Sequence, residues 1–459
     1  MIKMERLSFQ DASFLRMESQ QRPFHVASLM ILRPPQDASP SYMRKLARHC
    51  SRLNELWPAF DKKLKDPYSL RNPAWVPADD YDPSYHVHHY ALAAPGRMND
   101  LLALVSRVHE RMLDRNRPLW EIHLVEGLPG GRFALYCKAH HAMVDGVGAL
   151  HMVNTLFSES PDNPINFRKT APKATAHHHK MSLVRQLGSA SRGLLKHYAA
   201  LPQVSNLLLG MGRDAWTGKQ DVPPLPFTAP RTLFNGEVDA RRKIIITELP
   251  LGRMRALAKA YGGTVNDVLV AICGGALRDY LLEQKALPRK SLEAGVPMSI
   301  KSGQQEGNQV CFILCPFFTN VSDPTQRVRR VIKVMNKAKQ NIRNMSVTAA
   351  QDYTNMMMMP TIVLTLAGRT SQVTPALNAI VSNVPGSEKR LYLDGAALEH
   401  MYPLSVVTDG MGINLTVVSY MNKLCFAITS CPTQQPNIGI LGSLIKKNYK
   451  NLLDATSKL

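Results

Sequence analysis

The chain has 459 residues and carries 56 Lys+Arg against 35 Asp+Glu, a formal net charge of +21. Its hydrophobic content of 45% and charged content of 20% exclude wholesale disorder and fibrous repeats, and the length points to two or three domains. The positive balance admits nucleic acid, an anionic membrane surface or a polyanionic coenzyme as partner, and does not choose among them.

Ser8 followed by Asp11 makes a capping-box-like start for a helix through Phe14, Leu15 and Met17. His25–Leu32 reads as a strand stopped by Pro34 and Pro35. Ser41–Leu53 reads as a basic amphipathic helix, and Asn99–Leu113 as another with Asn99 as its N-cap. Glu121–Gly127, the turn Pro129–Gly131 and Phe133–His141 read as a β-hairpin, so the first part of the chain is α/β.

From about Pro164 to about Pro230 the character changes. No Asp or Glu falls between Asn163 and Arg213, while Arg168, Lys169, Lys173, Lys180, Arg185, Arg192 and Lys196 do. The early, Ala/Lys/His-rich part is expected to be flexible, and Met181–Met211 to be helical with an interruption at Pro202. A second α/β pattern follows Lys243: a strand over Ile244–Leu249, a helix over Leu251–Tyr261, and a helix opened by Thr264 and Asp267 with Val265, Val268, Leu269 and Ile272 on one face. Strands are predicted over Val310–Phe318, Ala379–Asn383, Gly412–Tyr420 and Leu424–Ser430, and a basic helix without acids over Arg327–Arg343.

Seven cysteines without a Cys-x-x-Cys pair indicate neither a disulfide framework nor a zinc ribbon, and Cys311 and Cys315 sit in an apolar stretch as small buried hydrophobes do. The first residues have no signal-like apolar run, and the longest apolar run, Met356–Gly368, is too short to span a bilayer and contains Pro360. The expectation is a cytoplasmic protein without a transmembrane segment.

The densest chemistry is His140-His141-Ala-Met-Val-Asp145-Gly146. Alternation along the preceding strand puts His141 on the apolar face with Leu135, Cys137 and Ala139. Desolvation there disfavours imidazolium and leaves a neutral base. The competing reading makes both histidines structural, with Asp145 capping a helix over Val147–Leu156. Adjacent strand histidines point oppositely, so no metal site is expected.

These residues resemble the HHxxxDG motif of CoA-dependent acyltransferases and peptide-synthetase condensation domains. Their surroundings narrow the resemblance to the bacterial wax ester synthase/acyl-CoA:diacylglycerol acyltransferase family. Pro118-Leu119-Trp120 resembles its PLW motif, Asn266-Asp267-Val-Leu-Val-Ala271 its NDVVLA motif, and Ser382-Asn383-Val384-Pro385-Gly386 its SNVPGP motif. Leu7-Ser8-x-x-Asp11 with Pro23-Phe24-His25-Val26 is similar to its N-terminal block. Ser387, Phe24 and Lys301 depart from the pattern; none lies in the histidine motif, and they bear on substrate preference or local packing and not on the reaction class.

The resemblance implies an α/β fold of two chloramphenicol-acetyltransferase-like mixed-sheet domains, residues 1–163 and 236–459, joined by a basic, partly helical linker over 164–235. It makes His141 the general base, His140 a supporting residue and Asp145 an organiser of the loop. Asn266 is a candidate for stabilising developing negative charge, against a merely structural place at a helix start. Gly146, Trp120 and Asp267 are candidate substrate-binding residues. The implied reaction moves a long-chain acyl group from acyl-CoA to a fatty alcohol or diacylglycerol without an acyl-enzyme and without a cofactor. Partners are then acyl-CoA, the acceptor, and a membrane or lipid-droplet surface touched peripherally, with Met181–Met211 the favoured contact. A condensation-type relative with another acceptor is the nearest alternative. Nucleic-acid binding rests on charge alone, with no zinc finger or basic–aromatic tract to support it.

Overall fold

A computed structural model describes residues 4–69, 71–144, 146–165, 167, 183–300 and 309–457. In chain order the first half holds β1 (Glu5–Arg6), α1 (Phe9–Met17), β2 (His25–Arg33), α2 (Tyr42–Cys50), β3 (Lys62–Leu64), β4 (Ala74–Pro77), β5 (Val87–Ala91), α3 (Met98–His109), β6 (Trp120–Glu126), β7 (Phe133–His140) and α4 (Gly146–Leu156). The long helix α5 (Leu183–Trp216) follows. The second half adds β8 (Lys243–Pro250), α6 (Leu251–Ala260), α7 (Val265–Glu283), β9 (Glu293–Ile300), β10 (Gln309–Pro316), α8 (Pro324–Arg343) and α9 (Val347–Leu366). It closes with β11 (Ala379–Val384), β12 (Tyr392–Leu393), β13 (Ala396–Leu404), β14 (Ile413–Tyr420), β15 (Lys423–Ser430) and α10 (Leu441–Thr456).

Local chemistry sets the helix starts. Ser8 accepts the Asp11 N–H at 3.1 Å, as its spacing predicts. Thr264 and Asp267 form a reciprocal capping box at α7, with the Asp267 carboxylate accepting the Thr264 N–H at 2.8 Å. At α3 the N-cap is Arg97 and not Asn99, because the Asp100 carboxylate accepts the Arg97 N–H at 2.8 Å and fixes the first turn one step earlier. The basic helix expected over Ser41–Leu53 ends at Cys50, and a 3-10 turn takes up Leu53–Glu55. Helix α5 runs through Pro202 without a break; one proline removes a single N–H, and in a surface helix this bends the axis without ending it.

Two six-stranded mixed sheets carry the fold. The second has the order β10-β9-β11-β14-β15-β8, with β11 parallel to both of its neighbours. The first has the order β12-β13-β2-β7-β6-β5, so β12 and β13 leave the second half and pair with the first sheet, Tyr402 opposite Leu29. A cut at 235/236 therefore separates the chain but not the sheets. The predicted hairpin is the antiparallel pair β6–β7.

Helices α7, α8 and α10 pack together over the second sheet. In α7 a Cβ on Gly274 would sit 2.2 Å from the Phe317 carbonyl oxygen, so only glycine lets that chain approach. The core of the first half includes Leu29, Trp120, Leu124 and Tyr136, and it extends to Val418, Tyr420, Cys425 and Ala427 on the facing side of the second sheet. The two sheets thus share packing and hold the space between them in fixed shape. Part of the charge on α8 is answered within the molecule: Arg330 and Lys333 pair with Asp221, Lys337 with Asp214 and Lys339 with Asp267. All seven cysteines are unpaired thiols.

Candidate active site

Strand β7 ends at His140, and a tight turn follows in which the Met143 and Val144 N–H groups donate to the His140 carbonyl at 2.8 and 3.2 Å. The turn presents His141 to a cavity of about 1030 Å³ lined by both halves of the chain, at or above the roughly 300–1,000 Å³ of ordinary small-molecule sites. The His141 ring lies 4.6 Å from the Phe14 ring of α1, and the His141 backbone N–H donates to the Phe24 carbonyl at 2.9 Å. Helix α1 and the Phe24 segment thereby fix its backbone and one face of its ring.

His140 is fully buried and works differently. Its Nδ1 accepts the Ala142 N–H at 3.0 Å, which requires a lone pair on that nitrogen and leaves Nε2 as the protonated one. Nε2 faces Glu18 Oε1 at 3.5 Å. Glu18 also accepts the Phe24 N–H at 3.1 Å and the Arg115 guanidinium at 3.0 Å. Burial pushes its carboxyl upward, but His140, the Phe24 N–H and Arg115 prevail and hold it below the ordinary carboxylate range. Glu18 and His140 together lock the turn on which His141 stands. Nothing in the sequence around Glu18 marks it, because its partners lie near residues 24, 115 and 140.

A second buried polar layer lies on the same strands. Lys138 is 2% exposed; it donates to the Val108 and Arg111 carbonyls at 3.2 and 3.1 Å and lies 3.0 Å from Glu121. Burial raises the Glu121 carboxyl, and the His123 and Lys138 contacts overcome this to bring it down to about 2. Burial keeps His25 and His109 well below the usual imidazole range, helped by neighbouring cations. His88, Glu121 and His123 stand close enough to share a metal ion, but the Lys138 ammonium already occupies the carboxylate, and like charge opposes a cation there.

The other sequence candidates separate into two groups. Trp120 is in the cavity wall, 1% exposed, its indole N–H donating to the Phe60 carbonyl at 2.9 Å. Ser382, Asn383, Val384 and Pro385 line the same wall, and Gly386 is required behind it because a Cβ would fall 2.2 Å from the Ser419 carbonyl oxygen. Ser387 donates its hydroxyl to the Lys389 carbonyl at 2.9 Å, away from the cavity wall. Asn266 and Asp267 stand at the start of α7 and do not line the cavity. The Asn266 amide oxygen is buried without a hydrogen-bond partner, and Asp267 is engaged by the capping box and by Lys339 at 2.7 Å. Gly146 begins α4; Asp145, Lys301 and His177–His179 lie outside the described residues.

Apolar surface dominates the lining: Trp57, Phe60 and Leu156 from the first half, Met358, Ile362 and Leu377 from the second. Within it the hydroxyls of Ser28, Thr365 and Thr408 are buried without a protein partner. Sequence reading missed these three. Cys137 also lines the cavity, but burial pushes its thiol up to about 12, so a thiolate nucleophile is not on hand.

Two mixed sheets with a histidine at the end of a central strand, facing a cavity between halves, define the class of two-domain acyltransferases and condensation domains. Solved structures agree: the first condensation domain of the calcium-dependent antibiotic synthetase has a TM-score of 0.62 at 14% identity over 99% of this chain and 96% of that one, a likeness of fold alone. The wax ester synthase/diacylglycerol acyltransferase from Marinobacter aquaeolei VT8 has a TM-score of 0.77 at 31% identity, covering 99% of this chain and 100% of that one. The family model for the wax ester synthase/diacylglycerol acyltransferase catalytic domain matches residues 7–269, and that for the C-terminal domain matches residues 306–452. A probable diacylglycerol O-acyltransferase of Mycobacterium tuberculosis is 35% identical over 453 residues, 97% of this chain and 98% of the relative. The O-acyltransferase WSD of Acinetobacter baylyi is 30% identical over 436 residues, 93% of this chain and 92% of the relative. The chain belongs to the wax ester synthase/diacylglycerol acyltransferase family and is an O-acyltransferase.

Proposed function

We propose that the protein transfers a long-chain acyl group from acyl-CoA to the hydroxyl of a fatty alcohol or a diacylglycerol, with His141 as general base. The observation that carries this reading is the placement of His141 on the wall of a cavity that is mostly apolar and large enough for two lipid chains. His141 removes the acceptor hydroxyl proton as the oxygen attacks the thioester carbonyl. The tetrahedral intermediate then expels CoA thiolate, which takes the proton back from the imidazolium. The ester forms and the thiol leaves with no group left on the enzyme.

His140 and Glu18 serve as positioning residues for that turn, and Asp145 organises the loop after it. Trp120 holds the cavity wall behind the base. The unpartnered hydroxyls of Ser28, Thr365 and Thr408 offer hydrogen bonds to the ester or glycerol oxygens of a bound lipid, since a buried hydroxyl gains most from a partner it otherwise lacks. Asn266 at the start of α7 acts through the second-half scaffold instead of on the reacting atoms, consistent with its not lining the cavity. CoA phosphates account for part of the positive balance.

We place the protein in the cytoplasm at a lipid surface, bound peripherally. No single described helix is long and apolar enough to cross a membrane, and the bent pair α6–α7 that passes on composition is mainly core, with Val268 through Leu277 buried. Release of CoA thiol from palmitoyl-CoA in the presence of hexadecanol or dioleoylglycerol tests the reading. No acceptor-dependent release would overturn it.

A further inference from the structure

Helix α9 is apolar on opposite sides. Toward the cavity it turns Met358, Met359, Ile362 and Thr365, and Ile362 packs on the Phe24 cluster that also holds Phe14, the ring against His141. Toward solvent it turns Met356, Pro360, Val363 and Leu366, the three large aliphatics being 40%, 54% and 51% exposed. No charged side chain occurs between Asp352 and Arg369. A helix apolar all round belongs in a core or in lipid, yet the outer face of this one is uncovered.

Its neighbour has the same character. Helix α5 packs along α9, and the Gln203 side chain accepts the Ser346 N–H at the α9 start at 2.8 Å. Ala200 and Val204 bury its inner side in the second-half core, while Leu201, Leu209 and Trp216 are 54%, 71% and 92% exposed. Six of the ten exposed large hydrophobic residues among those described fall on these two helices, a concentration that marks an interaction surface and not scattered surface apolarity. Cations flank the patch: Arg213 near the end of α5 and Arg369 just past α9 are both exposed.

We propose that the outer faces of α9 and α5 seat on an anionic phospholipid surface, so that α9 stands between that surface and the His141 cavity and the acceptor enters past it. Exposed apolar side chains flanked by Arg213 and Arg369, with the nearby Asp214 carboxylate already paired with Lys219 and Lys337, match the chemistry of such an interface. The cavity behind α9 says which surface: one from which a lipid is drawn. The route rests on the acyl-transfer reading above; the docking itself does not.

The full chain carrying Leu209→Glu, Val363→Glu and Leu366→Glu tests this. None of the three residues lines the cavity, and all are exposed, so folding is preserved and thiol release with a short soluble alcohol such as hexanol stays at the wild-type rate. Flotation on phosphatidylcholine vesicles containing phosphatidylglycerol is expected to fall at least about tenfold, and turnover of dioleoylglycerol held in those vesicles to fall with it. Arg213→Glu with Arg369→Glu is expected to weaken flotation on the anionic vesicles only. Wild-type and triple-variant protein that float alike, or wild type that does not float, would overturn the proposal. So would wild type that dimerises through this face, seen as a dimer becoming monomer in the variant without any flotation. Flotation that responds to the substitutions while no acceptor releases thiol would uphold the docking surface and refute acyl transfer.

Discussion

His141 and His140 are neighbours in different surroundings, and the roles proposed for them follow from what each ring touches. His141 faces the cavity beside Phe14, whereas His140 is enclosed and held through Ala142 and Glu18. His141→Ala is expected to lower acceptor-dependent thiol release by about 10²–10⁴-fold with the fold intact, the usual contribution of a general base. Glu18→Ala leaves His140 and Arg115 without their shared partner. Its expected effect is a fall of about ten- to a hundredfold in kcat with KM little changed, because it displaces the proposed base without touching substrate; steady-state kinetics with circular dichroism on the same sample check both parts. The histidine pair, Trp120 and the Ser382–Pro385 segment were legible in the sequence because each sits in a contiguous motif. Glu18 was not, since its meaning comes from three distant partners. Asn266 and Asp267 were legible as a helix start, and that is the place they occupy.

Elements with clear periodicity or capping matched the reading: β2, the β6–β7 hairpin, β8, α6, α7 and α8. Helix α9 was met only as an apolar run, because residues that face a cavity on one side and the outside on the other leave no polar stripe to count. Strand β13 was missed for a related reason. Its run Ala396–Leu404 mixes Glu399, His400 and Pro403 with apolar residues, and its pairing partner β2 lies far back in the chain. The pair β6–β7 carries the Glu121–Lys138 contact, and its effect on stability has a defined sign. Glu121 is ionised down to about 2 in the folded chain against an ordinary 4.5. Its contribution is complete above about 4.5 and is lost as pH falls toward 2. Glu121→Gln leaves the Lys138 ammonium buried without a countercharge, at a cost of about 3 kcal/mol near neutrality. Thermal melts of variant and wild type should therefore lie far apart at pH 7 and converge as pH falls below about 4.5; a constant gap would contradict the assignment. His25 and His109, neutral because they are buried, act in the same direction: the unfolded chain takes up protons below about pH 6.5 that the folded one refuses.

At the scale of the whole molecule, the two halves are joined by more than a linker. With β13 in the first sheet, residues 1–235 alone would expose β2 as an unpaired edge, and such a fragment is expected to aggregate. Soluble, folded 1–235 with wild-type-like circular dichroism would contradict this. Leu398, fully buried on β13, gives a gentler probe: Leu398→Ala should cost about 2–5 kcal/mol and lower the melting of both halves together in one transition. The net charge of +21 also divides by place. On helix α8 Arg330, Lys333, Lys337 and Lys339 are paired within the molecule, Arg115 and Lys138 are tied to Glu18 and Glu121, and Arg213 and Arg369 are exposed beside the apolar face of α9.

In the proposed reaction His141, facing the shared cavity, makes an acceptor hydroxyl nucleophilic toward acyl-CoA. Thiol release from palmitoyl-CoA, measured with and without hexadecanol or dioleoylglycerol for wild type and His141→Ala, addresses it most directly. Acceptor-dependent release by wild type is expected to fall by about 10²–10⁴-fold in the variant. Equal rates in the two proteins, or no release stimulated by either acceptor, would contradict it.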